Sequence, residues 1–174
     1  MLKDLFASQP FTGELIWMGL RPAYREPLIE VEEVEALTDA GLAGDHTGAQ
    51  GLKNLQSKGK NPSKRQVTLI QAEHLDVLAR LMEKCEIEPA LLRRNLVVRG
   101  INLHALKKAR FRIGNVLFEG TGDCHPCSRM EEVLGKGGYN AMRGHGGITA
   151  RILEGGTLHL SDVVRLVGPV EFEE

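Results

Sequence analysis

Apolar and polar residues alternate over several short segments of the chain, and this period of two predicts a protein built mainly of β-strands. The segment Gly13–Leu20 shows the pattern most clearly and ends at an Arg-Pro pair. Between residues 28 and 37 the alternation changes register at Val34 and Ala36, which indicates a β-bulge within one strand. The remaining predicted strands are residues 65–70, 96–98, 148–153 and 163–167, together with a hairpin over 109–119 that turns at residues 114–115.

Helical spacing is clear in one segment. Residues 71–85 place Leu75, Leu78, Met82 and Cys85 on one face at steps of three and four. Shorter helices are predicted at 88–94, which holds a proline in its first turn, and at 128–134. Glycine-rich stretches at 39–51 and 135–147 are predicted loops, and the polar segment 54–64 is predicted to be a mobile loop.

This arrangement of elements predicts a mainly β fold with flanking helices. Many short strands bounded by turns, with few helices between them, are typical of a closed or half-closed barrel. A doubly wound sheet needs strands and helices to alternate strictly, and they do not. The chain has 174 residues, which predicts one domain over residues 1–174 with a core at about 13–168.

Composition narrows the function classes. The 22 Lys and Arg nearly balance the 23 Asp and Glu, which argues against a dedicated nucleic-acid or membrane-surface binder. Only three cysteines are present, so the chain is not a disulfide scaffold, and we expect a reducing cytoplasm. The N-terminus lacks the pattern of a signal peptide, and no apolar run is long enough to span a membrane.

The segment 120–132, with sequence GTGDCHPCSRMEE, carries the strongest chemical pattern. Cys127 directly precedes a predicted helix, where the helix dipole and free backbone N–H groups favour a thiolate. His125 and Arg129 add positive potential next to it. These surroundings are polar and glycine-rich, which favours a nucleophile or metal ligand over a buried, apolar cysteine.

Cys124 and Cys127 have the spacing C-x-x-C, which fits three kinds of site. One is half of a structural zinc site, for which the sequence offers no second pair of ligands. Another is a thioredoxin-like dithiol, although that fold needs a longer segment after the motif. The third, which we favour, is a single reactive Cys127 in an anion-binding pocket, with Cys124 as a bystander or resolving thiol.

Three further polar clusters contribute to this predicted pocket. Glycine-rich backbone and arginine side chains bind phosphates and carboxylates well, although the spacing of the glycines matches neither a Walker loop nor a dinucleotide fingerprint. A surface loop with tight turns is the alternative interpretation of the glycine-rich stretch. Taken alone, Arg93 and Arg94 look like a solvated helix face, and His74 a surface residue. The candidate ligand-binding residues are Arg129, Arg143, Gly144, Gly146 and Gly147, with His46 after Asp45 and Asn95 after Arg94.

Three stretches carry a resemblance to a known family: residues 65–75 (RQVTLIQAEHL), residues 93–103 (RRNLVVRGINL) and residues 110–156, which contain CHPCSRM and the glycine-rich loop. Together they resemble the MOSC domain family, named after the C-terminal domain of molybdenum cofactor sulfurases. The likeness is to its small stand-alone bacterial members. It implies a β-barrel-like fold with peripheral helices and the binding of molybdenum cofactor (molybdopterin). It also implies that Cys127 is the sulfur ligand of molybdenum or the carrier of a persulfide.

The resemblance leaves the activity open between an enzyme and a carrier. As an enzyme, the protein would be a molybdenum-dependent reductase of N-hydroxylated bases or amidoximes, with protons from Asp45, His46 or His145. No iron–sulfur domain follows the MOSC-like part of this chain, so a reductase would need a separate electron-donor protein. As a carrier, it would pass on persulfide sulfur received from a cysteine desulfurase. A redox or zinc module that uses Cys124 and Cys127 together is the third hypothesis.

Overall fold

The computed structural model describes residues 2–57 and 61–170, and its main feature is a closed barrel of seven β-strands. The strands within these residues are β1 (Gly13–Leu20), β2 (Ile29–Glu30), β3 (Glu33–Leu37), β4 (Gly41–Leu42), β5 (Val67–Gln71), β6 (Leu96–Arg99), β7 (Ala109–Ile113), β8 (Val116–Asp123), β9 (Ile148–Glu154), β10 (Gly156–His159) and β11 (Val163–Pro169). The predicted fold class, mainly β with flanking helices, is confirmed.

The barrel closes because β1 pairs with both β6 and β11. Around it the order is β1, β11, β7, β8, β9, β5, β6 and back to β1. Neighbouring strands are antiparallel except β5 and β6, which are parallel and are therefore joined by a crossover segment containing a helix. Strand β2 extends the sheet beside β1, while β10, β3 and β4 form a small second sheet.

Helices cover the outside of the barrel. They are α1 (Leu2–Ala7), α2 (His46–Gln56), α3 (Ala72–Leu81), α4 (Ser128–Leu134) and α5 (Gly138–Met142), with 3₁₀ turns at Pro89–Leu92 and Leu103–Leu106. No helix in the described part of the chain has the length and apolar character needed to cross a membrane.

Two apolar clusters hold these layers together. Inward-facing residues of all seven barrel strands fill the interior, where the rings of Phe111 and Phe118 stack with centroids 5.4 Å apart. A second cluster lies between the barrel and the helices and includes Ile70, Leu78, Met130 and Met142. Because this second cluster anchors α3, α4 and α5, it fixes the segment between β8 and α4 that contains both cysteines of the C-x-x-C motif.

The prediction that residues 39–51 form a loop is wrong, because they contain β4 and the start of α2. Glycine serves a packing purpose here: a Cβ on Gly48 would collide with the carbonyl oxygen of Leu42, and one on Gly51 with that of Ala40. Lack of a side chain lets α2 lie directly against the strand backbone. Of the predicted mobile loop at 54–64, residues 54–56 belong to α2, and residues 58–60 lie outside the described part of the chain.

Other boundaries also differ from expectation. Residues 28–37 are two strands that pair with different partners, β2 with β1 and β3 with β10, so the change in register marks a break and not a bulge. Strand β8 runs on to Asp123, four residues beyond the predicted end of the hairpin, and α5 interrupts the glycine-rich stretch. Helix α3 ends at Leu81, which leaves Cys85 exposed beyond it and off the predicted apolar face.

Candidate functional site

Cys127 lies in the short segment that joins β8 to α4, directly before the first residue of the helix. Its backbone is extended (φ −118°, ψ 173°), and its side chain makes no capping hydrogen bond. The thiol is free and exposed, whereas the free thiol of Cys124 is buried. The two cysteines of the motif therefore have different surroundings, and only Cys127 is open to a ligand or a partner.

Arg93 lies near the thiol of Cys127 and near three other arginines. Burial lowers the pKa of Arg93, and the charge of Arg21 lowers it further, whereas the negative charge of a Cys127 thiolate raises it. The charges of Arg129 and Arg94 lower the pKa of Arg93 as well. Arg21, Arg94, Arg129 and Cys127 thus all lie close enough to act on the charge of Arg93, which connects the thiol to a cluster of arginines.

Two of these arginines have unused hydrogen-bonding capacity. The Nε atoms of Arg21 and Arg129 are buried and have no hydrogen-bond partner. Buried N–H groups are nearly always paired in folded proteins, so an unpaired one indicates a missing ligand, ion or water. Arg129 also donates from Nη1 to the Glu132 carboxylate at 2.9 Å.

Arg94 has a different role, because its guanidinium is used entirely within the protein. It is 4% exposed and donates to the carbonyl oxygens of Leu92 (2.8 Å), Gly146 (2.9 Å) and Cys124 (3.0 Å). The interpretation of Arg94 as part of a solvated helix face is therefore wrong. Two of these bonds join the cysteine segment (residues 124–127) to the glycine-rich segment (residues 135–147), beside the backbone bond from Cys124 N–H to the Gly147 oxygen.

The three glycines predicted in the site also differ, because Gly146 and Gly147 pack against other backbone segments and Gly144 does not. A Cβ on Gly146 would collide with the Cys124 carbonyl oxygen, and one on Gly147 with that of Leu69. These two glycines let three backbone segments pack together, and Gly147 also adopts φ +83°. Gly144 is exposed, with open space around its Cα. All three line one wall of a cleft beside the cysteine segment.

Asp45 and Asn95, which we predicted in the site, form a buried hydrogen-bond network. Asp45 caps α2 by accepting from Thr47 N–H, and it also accepts from Arg21 N–H and Asn95 Nδ2. Asn95 donates a second bond to the Gly19 carbonyl and accepts from Thr68. Every polar atom of both side chains is thus used to join α2, β1, β5 and β6.

His46 and Arg143 lie at the edges of this region. The backbone N–H of His46 donates to the Arg21 carbonyl at 2.7 Å, and its ring is 6.2 Å from that of Tyr24. Arg143 is exposed in a shallow groove that it shares with His125 and Tyr139. The structure thus brings His46 next to Arg21, and it places Arg143 in a groove with His125 of the cysteine segment.

A cleft of about 200 Å³ opens beside the cysteine segment, and its lining includes three histidines, His74, His104 and His125. His74 is half-buried there, so the prediction that it is a surface residue is wrong; its ring meets the ring of His145 edge to face, with centroids 4.9 Å apart. Burial lowers the pKa of His74, and the neighbouring His145 lowers it further. The Nδ1 atoms of both rings are buried without partners.

No group of three or more His, Cys, Asp or Glu residues within residues 2–57 and 61–170 is placed to hold a metal ion. The described residues therefore offer no ligand set for the zinc alternative. A metal held here through Cys127 would depend on a cofactor for its other ligands.

Sequence reasoning missed Arg21 and His74. Arg21 directly follows β1 in an Arg-Pro pair, and a cation at a strand end is a usable indication of a site. His74 carried no such indication, because its partner His145 is distant in sequence and only the fold brings the two rings together.

Comparison with solved structures supports the fold. The YuaD protein from Bacillus subtilis superimposes with a TM-score of 0.73 at 16% identity, covering 88% of this chain and 94% of that one. YiiM from Escherichia coli gives 0.65 at 18% identity, covering 91% and 72% of the two chains, and YiiM from Geobacillus stearothermophilus gives 0.65 at 12%, covering 91% and 80%. Among curated proteins, none matches the sequence of this chain.

The family model of the MOSC domain matches residues 43–165, which run from just before α2 into β11. That range contains the cysteine segment, the glycine-rich segment, Arg93, Arg94 and Arg129. The chain therefore belongs to the MOSC domain family, which is associated with binding of the molybdenum cofactor.

Proposed function

We propose that this protein binds the molybdenum cofactor through Cys127 and the surrounding arginines, and reduces N-hydroxylated compounds with electrons from a separate donor protein. The observation that carries the proposal is the exposed thiol of Cys127 near Arg93, whose charge is also affected by Arg21 and Arg129, two arginines with a buried Nε that has no partner. Membership of the MOSC family supports the identity of the cofactor.

The residues present fit the chemistry of this cofactor. A thiolate is a soft ligand and suits a metal centre that is already rich in sulfur. The terminal phosphate of the pterin is a dianion, and planar guanidinium groups bind phosphate through two parallel hydrogen bonds. Arg21 and Arg129 have the free donors for this purpose, while Arg93 brings a third positive charge.

Each residue then has a separate task. When bound, the cofactor supplies a metal that accepts and donates pairs of electrons. Cys127 holds that metal, and Arg21, Arg93 and Arg129 hold the anionic end and neutralise it. The carboxylate of Asp45 is buried and already accepts three hydrogen bonds. We therefore assign the proton transfer to His145, whose Nδ1 is unpaired.

Cofactor content is the direct test. Protein produced in cells that make the cofactor is purified gently, and molybdenum is measured by elemental analysis. We expect close to one molybdenum per chain for the wild type and at least a tenfold loss for Arg129→Met and Cys127→Ser. Arg80→Met, at an exposed position on α3, is the matched control and keeps its molybdenum. Equal content in all four proteins would remove the proposed site.

Activity is the second test. Loaded wild-type protein is given a hydroxylamino-purine and a chemical electron donor, beside a working positive control. We expect conversion to the amine by the wild type and none by Cys127→Ser. A loaded protein that gives no turnover contradicts the reductase part of the proposal while leaving cofactor binding intact.

The exposure of Cys127 also favours a second candidate, in which the protein carries sulfur. An exposed thiol can receive persulfide sulfur from a partner such as a cysteine desulfurase. After incubation with that enzyme and cysteine, cyanide-releasable sulfur on the wild type, and none on Cys127→Ser, supports a carrier. A free thiol alone in the mass spectrum excludes it.

A further inference from the structure

The cleft on the histidine side of the cysteine segment is separate from the arginine cluster. Its walls come from α3, from the end of β8, from the segment 124–126 and from the glycine-rich segment. Cys127 and the arginines near it are not part of these walls. The cleft reaches Pro126, the residue directly before Cys127, and Arg94 holds this segment in place through the Cys124 and Gly146 carbonyls.

We infer that His74 and His145 form a proton-holding pair that serves the site through this cleft. Their rings are in edge-to-face contact, 4.9 Å between centroids and at 81° to each other. A neutral imidazole offers one donor and one acceptor nitrogen, yet neither Nδ1 has a partner although both are buried. His74 lines the cleft and His145 touches it from behind the neighbouring glycines, so the two rings are placed to exchange a proton with a small polar ligand in the cleft through His74.

The pair holds one proton more readily than two. Two charged rings in contact repel each other, and burial lowers the pKa of His74 as well. The opposing influence is the carboxylate of Glu73, the neighbouring residue on α3, which raises the pKa of His74. The other titratable groups around the cleft are His104, Asp123, Cys124 and His125, with Lys107 bonded to Asp123.

These other groups do not neutralise the pair. The carboxylate of Asp123 accepts from Lys107 at 2.9 Å and lies 3.5 Å from His104 Nδ1. The hydrogen bond from Lys107 keeps the pKa of Asp123 below its ordinary value. Asp123 is therefore a carboxylate already paired with Lys107, and it does not act on the pKa of His74.

This inference rests on the proposed reductase function, which consumes protons. Reducing an N-hydroxyl compound breaks the N–O bond with two electrons from the donor protein. One proton goes to the departing hydroxyl, which leaves as water, and the second goes to the nitrogen of the amine. A pair of imidazoles that takes up and releases one proton is suited to supply this demand.

Titration of the histidines by NMR tests the pair without any cofactor. Because the charge of His145 lowers the pKa of His74, the variant His145→Gln should raise the titration midpoint of His74 by a measurable amount. His104→Gln is the matched control, since that ring is exposed and pairs with Asp123; it should leave His74 unchanged. An unmoved midpoint in a folded His145→Gln protein overturns the pair.

Kinetics of the loaded enzyme give the second arm. We expect His74→Gln to lower kcat about 100-fold, the usual scale of proton-transfer catalysis, with its molybdenum content and KM unchanged and its pH profile flattened. An unchanged kcat and pH profile contradicts the inference and leaves the proposed function standing. If the wild type binds no molybdenum, the proposed function fails, and the NMR result still decides whether the two rings share a proton.

Discussion

Polar residues near Cys127 fall into two groups that look alike in the sequence but differ in the structure. Asp45, Arg94 and Asn95 are buried, and each makes three or more hydrogen bonds to other parts of the protein. Arg21, Arg129, His74 and His145 each have a buried nitrogen with no partner. We call the first group the framework residues and the second the open residues.

The comparison shows that charge and burial alone do not identify a ligand-binding residue. A buried charge whose donors all bond to the protein stabilises one arrangement of the chain and has nothing left for a ligand. A buried nitrogen without a partner costs free energy in the free protein, and a ligand can recover that cost. Framework variants should therefore lose stability, and open variants should lose function while keeping their stability.

The largest effect is expected for the framework variant Arg94→Met. It leaves the carbonyls of Leu92, Gly146 and Cys124 without their donor, and we expect unfolding free energy to fall by about 3 kcal/mol. Urea unfolding followed by circular dichroism measures it. Arg143→Met, at an exposed position, is the control and should stay within about 0.5 kcal/mol of the wild type. Equal stability of the two variants would break the distinction between the groups.

A smaller loss is expected for Asp45→Ala. The variant removes the cap of α2, leaves the Arg21 N–H unpaired and takes away one of the two bonds of Asn95 Nδ2, so we expect a loss of about 2 kcal/mol. Thermal unfolding gives the measurement. If Asp45 were instead an open, proton-transferring residue, Asp45→Ala would keep its melting temperature and lose activity alone.

The sequence predicted the elements that depend on local pattern. The bounds of β1 and the turn between β7 and β8 were predicted from alternation and a Gly-Asn pair, which act over a few residues, and the bounds of α4 were also predicted correctly. Helix α2 was missed because its glycines were taken as turn residues, although Asp45 before the helix is a favourable cap. The glycines are there for packing against β4, which only the fold can show.

The division into framework and open residues was beyond the reach of the sequence. The carbonyls that Arg94 binds in Cys124 and Gly146 are 30 and 52 residues away along the chain, and no local pattern specifies them. Arg93 and Arg94 are adjacent and chemically identical, yet Arg93 contributes charge to the site, whereas Arg94 holds two backbone segments together.

The variant Arg93→Gly should be more stable than the wild type but should bind less cofactor. Arg93 has φ +59°, a left-handed conformation that costs an ordinary residue about 1 kcal/mol and glycine almost nothing. Its removal also relieves repulsion from Arg21 and Arg129. We expect a gain of about 1 kcal/mol in urea unfolding and a molybdenum content at least tenfold lower. Lower stability with normal molybdenum would place Arg93 among the framework residues.

The smallest effect concerns Glu131, a surface residue that acts as framework. Its carboxylate accepts from Tyr139 N–H at 2.9 Å and Gly137 N–H at 2.8 Å at the start of α5, and these bonds lower its pKa. A lowered pKa means that the stabilisation is present above the pKa of the unfolded chain, about 4.3, and is lost as the pH falls through the folded value. Wild type should therefore exceed Glu131→Gln in urea midpoint at pH 7 and approach it near pH 3.

Glu86→Gln, at an exposed position beyond α3, is the control for general acid effects. A difference between wild type and Glu131→Gln that stays constant from pH 7 to pH 3 would show that the carboxylate's charge does not hold α5, so that even this exposed position would have to be removed from the framework.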